Sequence, residues 1–305
     1  MNIFIAGASG FVGGHLVDAL LKNNYKLRCL ARSEKAKKLF FALANPPERG
    51  KEKGLEIVSG DITEPATLEG ALNDIDFVIH LVGIMEEKGA ATFRKVHVEG
   101  TKNLVSEAKK SGVKHFFYQS ALGADKTSWS GYLRTKAEAE EIVKASEIPY
   151  TIFRPSLIIG PWDGFTKKLS DIIKMSPVIP VPGDGKSKFQ PVYINDWLKC
   201  MLEVIASPES FRGTFDIGGL QQLTYNEIIN SLADAMKVKK TIVHIPMGLM
   251  KFGALLAEKT IPLLPVTSDQ LRLLEADNIC DVNSVEKSFG FKPVKYIDAL
   301  KGFIK

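Results

Sequence analysis

Short apolar runs alternate with stretches of helical periodicity along the first 160 residues. Asn2–Ala6 is apolar almost throughout, the pattern of a strand buried on both faces. Behind it Phe11, Val12, Leu16, Val17, Leu20 and Leu21 recur at helical spacing. Residues 25–31, 55–58, 76–82 and 114–120 predict further strands, and Arg154-Pro155 belongs to a sixth. Residues 93–111 and the segment around Tyr132 and Lys136 predict helices, and residues 45–54 a polar loop. Strand and helix in alternation predict an α/β protein whose parallel sheet is covered on both faces.

Beyond Pro161 this rhythm breaks up. Residues 163–175 and 196–206 read as helices, 214–217 as a strand, and the proline- and glycine-rich run 177–185 as a rigid loop. Residues 224–236 read as a helix capped by Thr224, with Glu227 at capping-box spacing. Residues 268–305 predict short closing helices. The division expected is a nucleotide-binding domain over 1–160, with returning segments near 190–220, and a smaller mixed lobe over 161–305. The most apolar tract, 247–266, is interrupted by Lys251, Glu258, Lys259 and prolines, and is too short to span a bilayer. It suits lobe packing, the lining of an apolar substrate pocket, or an interfacial foot.

The first turn carries the strongest chemical signal. Gly7, Gly10 and Gly13 stand between the first strand and the first helix, where such glycines mean dinucleotide binding. They allow a tight turn, a close backbone approach to a pyrophosphate, and close packing of helix on strand. The helix N-terminus then offers free N–H groups to the phosphates. After the second strand, where an NAD-selective fold usually has an acid for the ribose 2′-hydroxyl, stand Arg32, Ser33 and Lys35. A guanidinium suits a 2′-phosphate, so NADP(H) is favoured and NAD(H) is possible. Asp61 and Ile62, after the third strand, could hold the adenine, or Asp61 could cap a helix starting near Thr63. Gly83, after the fourth strand, leaves room for a cofactor.

Bulk properties narrow the partners. A net charge of +5 with scattered Lys and Arg gives no support to nucleic-acid binding. Cys29, Cys200 and Cys280 are far apart and read as reduced thiols, which predicts a cytoplasmic setting. A strand beginning at residue 2 predicts no secretory leader. The five histidines form no ligand-spaced cluster, so no metal is expected.

Tyr132 and Lys136 lie at i and i+4 and share a helix face. A neighbouring ammonium would lower the phenol from about 10 toward working pH, which suits a general acid/base for carbonyl–alcohol chemistry. Lys136 could also hold a ribose, and Ser120 could orient a carbonyl. With Gly7-x-x-Gly10-x-x-Gly13 and Arg154-Pro-Ser-Leu-Ile-Ile-Gly160-Pro161, the chain resembles a short-chain dehydrogenase/reductase of the extended or atypical kind. More narrowly, it resembles the branch of the NADPH-binding accessory subunit of respiratory complex I and its bacterial relatives. Val113-Lys-His-Phe-Phe, Ser130-Gly-Tyr-Leu-Arg-Thr-Lys136-Ala-Glu-Ala-Glu, Gly164-Phe165 and Gln190-Pro-Val-Tyr-Ile-Asn-Asp196 carry that match, which weakens after about residue 240.

The resemblance implies a Rossmann-type doubly wound sheet with a C-terminal substrate lobe. Its expected cofactor contacts are Gly7, Ser9, Gly10, Phe11, Val12, Gly13, Arg32, Ser33, Asp61, Ile62, Leu81, Val82, Gly83, Tyr132, Lys136 and Pro155. Ser120, Tyr132 and Lys136 are the expected catalytic group. The expected function is hydride exchange between NADP(H) and an apolar or amphipathic carbonyl or alcohol. The alternative is a non-catalytic NADPH-binding accessory or assembly protein of a membrane complex, with possible peripheral membrane contact. Three positions depart from the nucleotide-sugar enzymes of the family: Leu157 stands where they have Asn, and Phe189-Gln190 where they have Arg-Asp. A single hydroxyl residue, Ser120, precedes Ala121 where two are common, so the active hydroxyl could sit one place off.

Overall fold

The computed structural model describes residues 1–33, 54–250, 271 and 273–304. It contains two compact units, Met1–Arg154 with Leu198–Phe215, and Pro155–Trp197 with Asp216–Lys305.

The first unit is built on strands β1 (Asn2–Ala6), β2 (Lys26–Ala31), β3 (Leu55–Ser59), β4 (Phe77–His80), β5 (His115–Gln119) and β6 (Tyr150–Pro155). With the later strand Gly213–Ile217 at one edge they form a sheet of seven, in which β1 lies between β2 and β4. The pairs β1–β2, β1–β4, β2–β3, β4–β5 and β5–β6 are all parallel. The order β3-β2-β1-β4-β5-β6 is that of a doubly wound nucleotide-binding sheet, and it reverses direction between β1 and β4.

Helices α1 (Phe11–Lys22), α2 (Gly100–Lys110) and α3 (Gly131–Lys144) bury one face each against this sheet. Phe4, Val78, Phe116, Tyr118 and Ile152 meet Leu104, Val105, Ala139 and Val143 in one core cluster. Each fully buried Val, Leu, Ile or Phe side chain among them contributes about 1.5–3 kcal/mol. α2 is entered through a π-helical turn, Arg94–Glu99, so the predicted helix 93–111 is in fact two geometries in series. The helix expected near Thr63 is a single 3-10 turn at Pro65–Leu68, because Asp61 and proline at the first helical position favour a short turn.

The second unit contains β7 (Ile158–Ile159), α4 (Gly164–Met175), β8 (Val178–Pro182), β9 (Lys188–Phe189), β10 (Val192–Tyr193) and the start of α5 (Ile194–Ala206). After the edge strand of the first unit, β11 (Gly213–Ile217), the chain returns with β12 (Leu223–Thr224), α6 (Tyr225–Ala235) and β13 (Thr241–Ile245). Short helices α7 (Ser284–Phe289) and α8 (Tyr296–Phe303) close it. Thr224 caps α6 with a complete capping box to Glu227.

The run 177–185, expected as a loop, is a correction. Val178–Pro182 is a strand that pairs in parallel with β13, and only Gly183 and Gly185 turn the chain with φ of +64° and +66°. Ile179 and Val181 point into the core while the prolines take the alternate positions of a two-stranded sheet, where a missing N–H is tolerated. Most of the apolar tract 247–266 lies outside the described residues; Met250, within it, is buried together with Leu271.

Candidate cofactor and catalytic site

The glycine turn sits where the sheet order reverses. Gly7 has φ +96°, and a Cβ there would lie 3.0 Å from the Leu81 carbonyl carbon and 3.1 Å from the Val82 nitrogen. The turn after β1 is therefore pressed directly against the chain leaving β4. A Cβ on Gly13 would fall 2.2 Å from the Gly7 carbonyl oxygen, so α1 packs on its own turn as only glycine permits. Gly10 is the N-cap of α1, no side chain caps it, and the first helical turn carries no acid. The N–H groups of that turn and the positive end of the helix are thus left to a ligand. These features fit the pyrophosphate of a dinucleotide, with Ser9, Phe11 and Val12 in the same turn.

Arg32 and Ser33 follow β2, and the Arg32 side chain is 70% exposed with its Nε 3.9 Å from Asp61 Oδ2. The structure thus brings Arg32 and Asp61 to one place at the ends of β2 and β3. Asp61 also accepts hydrogen bonds from the Thr63 amide at 2.8 Å and the Thr63 hydroxyl at 2.9 Å, so it caps the turn at the same time. Ile62 turns its side chain into the core against Gly100, and its carbonyl accepts from the Asn103 side chain at 2.9 Å. Pro155 closes β6 and is buried.

The chemical residues lie on α3, whose N-cap Ser130 accepts from the Leu133 amide. Lys136 is 4% exposed. Its Nζ donates to the Gln119 carbonyl at 2.8 Å and stands 4.9 Å above the Tyr118 ring. A Cβ on Gly83 would lie only 3.1 Å from that Nζ, so a side chain there would crowd the ammonium. Burial pushes the Lys136 ammonium down to about 7, against an opposing pull from Glu140.

Tyr132 is half-buried, between the rings of Phe93 and His97 at centroid distances of 5.9 and 5.6 Å. The expected lowering of its pKa by Lys136 is a correction: burial of the phenol pushes it up to about 12. Tyr132 is therefore a neutral O–H donor in this structure. Ser120, at the end of β5, has a buried hydroxyl with no aligned hydrogen-bond partner. It lies near enough to the Glu140 carboxylate to help hold that acid below its usual range.

His97 is a site residue that sequence patterns did not reveal. Its Nε2 accepts from the Ile84 amide at 3.0 Å, which places the ring proton on Nδ1, facing the Thr135 hydroxyl at 2.9 Å. That hydroxyl in turn donates to the Gly131 carbonyl at 2.8 Å. Burial drives His97 down to about 3, so it stays neutral. The only advance signal was a lone histidine in a helical stretch, more often a core residue than a site residue.

The three positions that depart from nucleotide-sugar enzymes are all committed to the second unit's own packing. Phe189 is core and Leu157 packs against the same cluster. Gln190 is fully buried, donating to the Gly219 carbonyl and accepting from the Cys280 amide, both at 2.8 Å. Among the described residues no group of His, Cys, Asp or Glu is arranged to hold a metal ion. No helix among them is long and apolar enough to cross a membrane.

A parallel sheet with a glycine turn at its switch point, and a tyrosine–lysine pair beside it, defines an α/β protein built to hold a dinucleotide. Residues 3–218 match the NAD dependent epimerase/dehydratase family, and the chain belongs to it. It is 28% identical over 256 residues to the ceramide reductase of Caulobacter vibrioides, covering 83% of this chain and 76% of that one. It is 25% identical to NADH dehydrogenase [ubiquinone] 1 alpha subcomplex subunit 9, mitochondrial, of Arabidopsis thaliana, covering 92% and 71%. The fold is that of the UDP-glucuronic acid 4-epimerase from Bacillus cereus solved with NAD, at a TM-score of 0.76, 20% identity and coverage of 99% and 97%.

Proposed function

We propose that this chain is an NADP(H)-binding reductase acting on an apolar or amphipathic carbonyl or alcohol. The observation that carries this reading is Lys136 held beside the bare backbone of Gly83, with Tyr132 one helical turn away on α3. A bound reduced nicotinamide would supply hydride. Tyr132, kept as a neutral phenol, donates its proton to the carbonyl oxygen that the reduction makes basic. Lys136 spends one N–H on Gln119 and has two left for a ribose hydroxyl and for the Tyr132 side. Arg32, with no acid directly after β2, holds a 2′-phosphate, which makes NADP(H) the preferred form.

An apolar substrate is supported by the surroundings. Phe93 stacks on His97 beside Tyr132, and Met85 and Trp129, close in sequence to Gly83 and Tyr132, are large exposed hydrophobics. Leu157, Phe189 and Gln190 argue against a sugar nucleotide. Similarity to a ceramide reductase fits the same substrate class.

A second reading has its own support. Ser120 keeps its hydroxyl buried, beside the Glu140 carboxylate and not open to a substrate. With the likeness to a complex I subunit, that favours an accessory or assembly role on a membrane complex in which NADPH only binds. One experiment separates them. The purified protein is released from its nucleotide, the nucleotide is identified, and NADPH oxidation is followed with long-chain ketones and aldehydes. Oxidation above the protein-free rate supports the reductase; bound NADPH without oxidation supports the accessory role; no nucleotide affinity sinks both.

A further inference from the structure

A buried ion pair lies one helical turn beyond Lys136. Tyr132, Lys136 and Glu140 follow at intervals of four along α3 and so share one face. Glu140 is 1% exposed, yet it is ionised, because Arg154 from β6 grips both its oxygens. Arg154 Nε donates to Oε1 at 2.7 Å and Nη2 to Oε2 at 2.6 Å, a bidentate fork. Lys144 adds a longer contact at 3.3 Å from the outer side. These bonds hold the Glu140 carboxyl below its usual range despite its burial.

Among the described residues, the other groups around Lys136 are uncharged. β5 supplies the Tyr118 ring and the Gln119 carbonyl. β4 supplies His80 and the π turn His97, both kept neutral near 3 by burial. Tyr132, on α3 itself, is a neutral phenol. The carboxylate acting on Lys136 is Glu140. A buried pair of this kind is a poor route to stability, since well-packed apolar residues do as well or better.

We infer that the Glu140–Arg154 pair is a positioning device for Lys136: it sets the lysine's charge and anchors the helix face that carries Tyr132. Ser120 then belongs to the shell of this buried acid rather than to the substrate. The arrangement is economical in one respect. Arg154 neutralises most of Glu140, so the lysine feels a weak, fixed anion rather than a full ion-pair partner, and its ammonium stays free to bind a ligand. The inference deepens the cofactor-site reading above and rests on it for its purpose, though not for its test.

Lysines labelled with ¹³C at Cε are titrated in the intact protein by NMR, with the Lys136 signal assigned from Lys136→Arg. The wild-type midpoint is expected near 7. Glu140→Gln should lower it by about one unit, the size expected from loss of one nearby opposite charge. Arg154→Lys, which keeps the charge but not the fork, should leave the midpoint close to the wild-type value. The midpoint of NADPH affinity against pH, read by nicotinamide fluorescence, should move with that of the lysine. A folded Glu140→Gln protein with an unchanged Lys136 midpoint would overturn the inference. So would loss of fold in Glu140→Gln and Glu140→Asp alike, which would assign the pair to stability alone. If NADPH fails to bind but the lysine midpoint shifts, the cofactor reading falls and the positioning role stands.

Discussion

A methyl group on Gly83 would lie 3.1 Å from the Nζ of Lys136, a residue 53 positions later in the chain. The absence of a side chain after β4 and the presence of an ammonium on α3 are two halves of one feature. Gly83 is exposed, so Gly83→Ala should leave thermal stability nearly unchanged. It should instead weaken NADPH binding about tenfold, about 1.4 kcal/mol, by pushing the lysine out of place. Isothermal titration of both proteins at one pH checks this, and equal affinities would separate Gly83 from the site.

Cofactor preference should follow Arg32. Charge-assisted contacts to a phosphate contribute about 1.5–3 kcal/mol, or one to two decades of preference for NADPH over NADH. Arg32→Asp should erase or reverse that ratio. Asp61 stands 3.9 Å away, so the variant also places two acids together, which further disfavours a 2′-phosphate. Equal dissociation constants for the two cofactors in the wild type would rule out the assignment.

Tyr132→Phe tests binding against chemistry. The ring keeps its edge contacts with Phe93 and His97, so cofactor affinity should change little. Any NADPH oxidation should fall by about 10²-fold or more with the loss of the proton donor. Undiminished turnover in the variant would remove the phenol from its role.

Lys136 should make stability depend on pH in an unusual direction. Its pKa is lowered from 10.5 to about 7 in the folded protein, so the unfolded chain binds the extra proton between those values. Stability from this group therefore rises as pH climbs from about 7, and its burial penalty is felt in full below that. Lys136→Met should raise the melting temperature at pH 6 and show a shrinking advantage toward pH 9. A gain independent of pH would mean the lysine is not held in the way described.

The parts of this fold that could be read in advance are those written in local spacing. Gly7, Gly10 and Gly13 sit within one turn, and Tyr132 and Lys136 within one turn of helix, so neither needs the tertiary structure to be paired. The sequence shows the lysine beside Tyr132 but not the burial that raises the phenol's pKa. His97 and Gly83 meet Tyr132 and Lys136 only once β4 and α3 are packed together. Glu140 shares the face of α3 with Tyr132 and Lys136, but its pairing with Arg154 appears only when α3 packs beside β6. The prolines of Val178–Pro182 hide the alternation of Ile179 and Val181 in the sequence, and the partner strand is 63 residues away at Thr241.

The π-helical turn at Arg94–Glu99 fixes the phase of everything before α2. One residue more or less in such a turn rotates the preceding side chains by about 100° around the helix axis. Phe93 stands just ahead of the turn and His97 within it, and both face Tyr132 only in the present phase. Relatives that lose or gain a single residue here would keep the sheet, the glycine turn and the tyrosine–lysine pair. They would nonetheless present a different wall to whatever lies over Tyr132. The length of this one turn thus decides which side chains stand beside Tyr132.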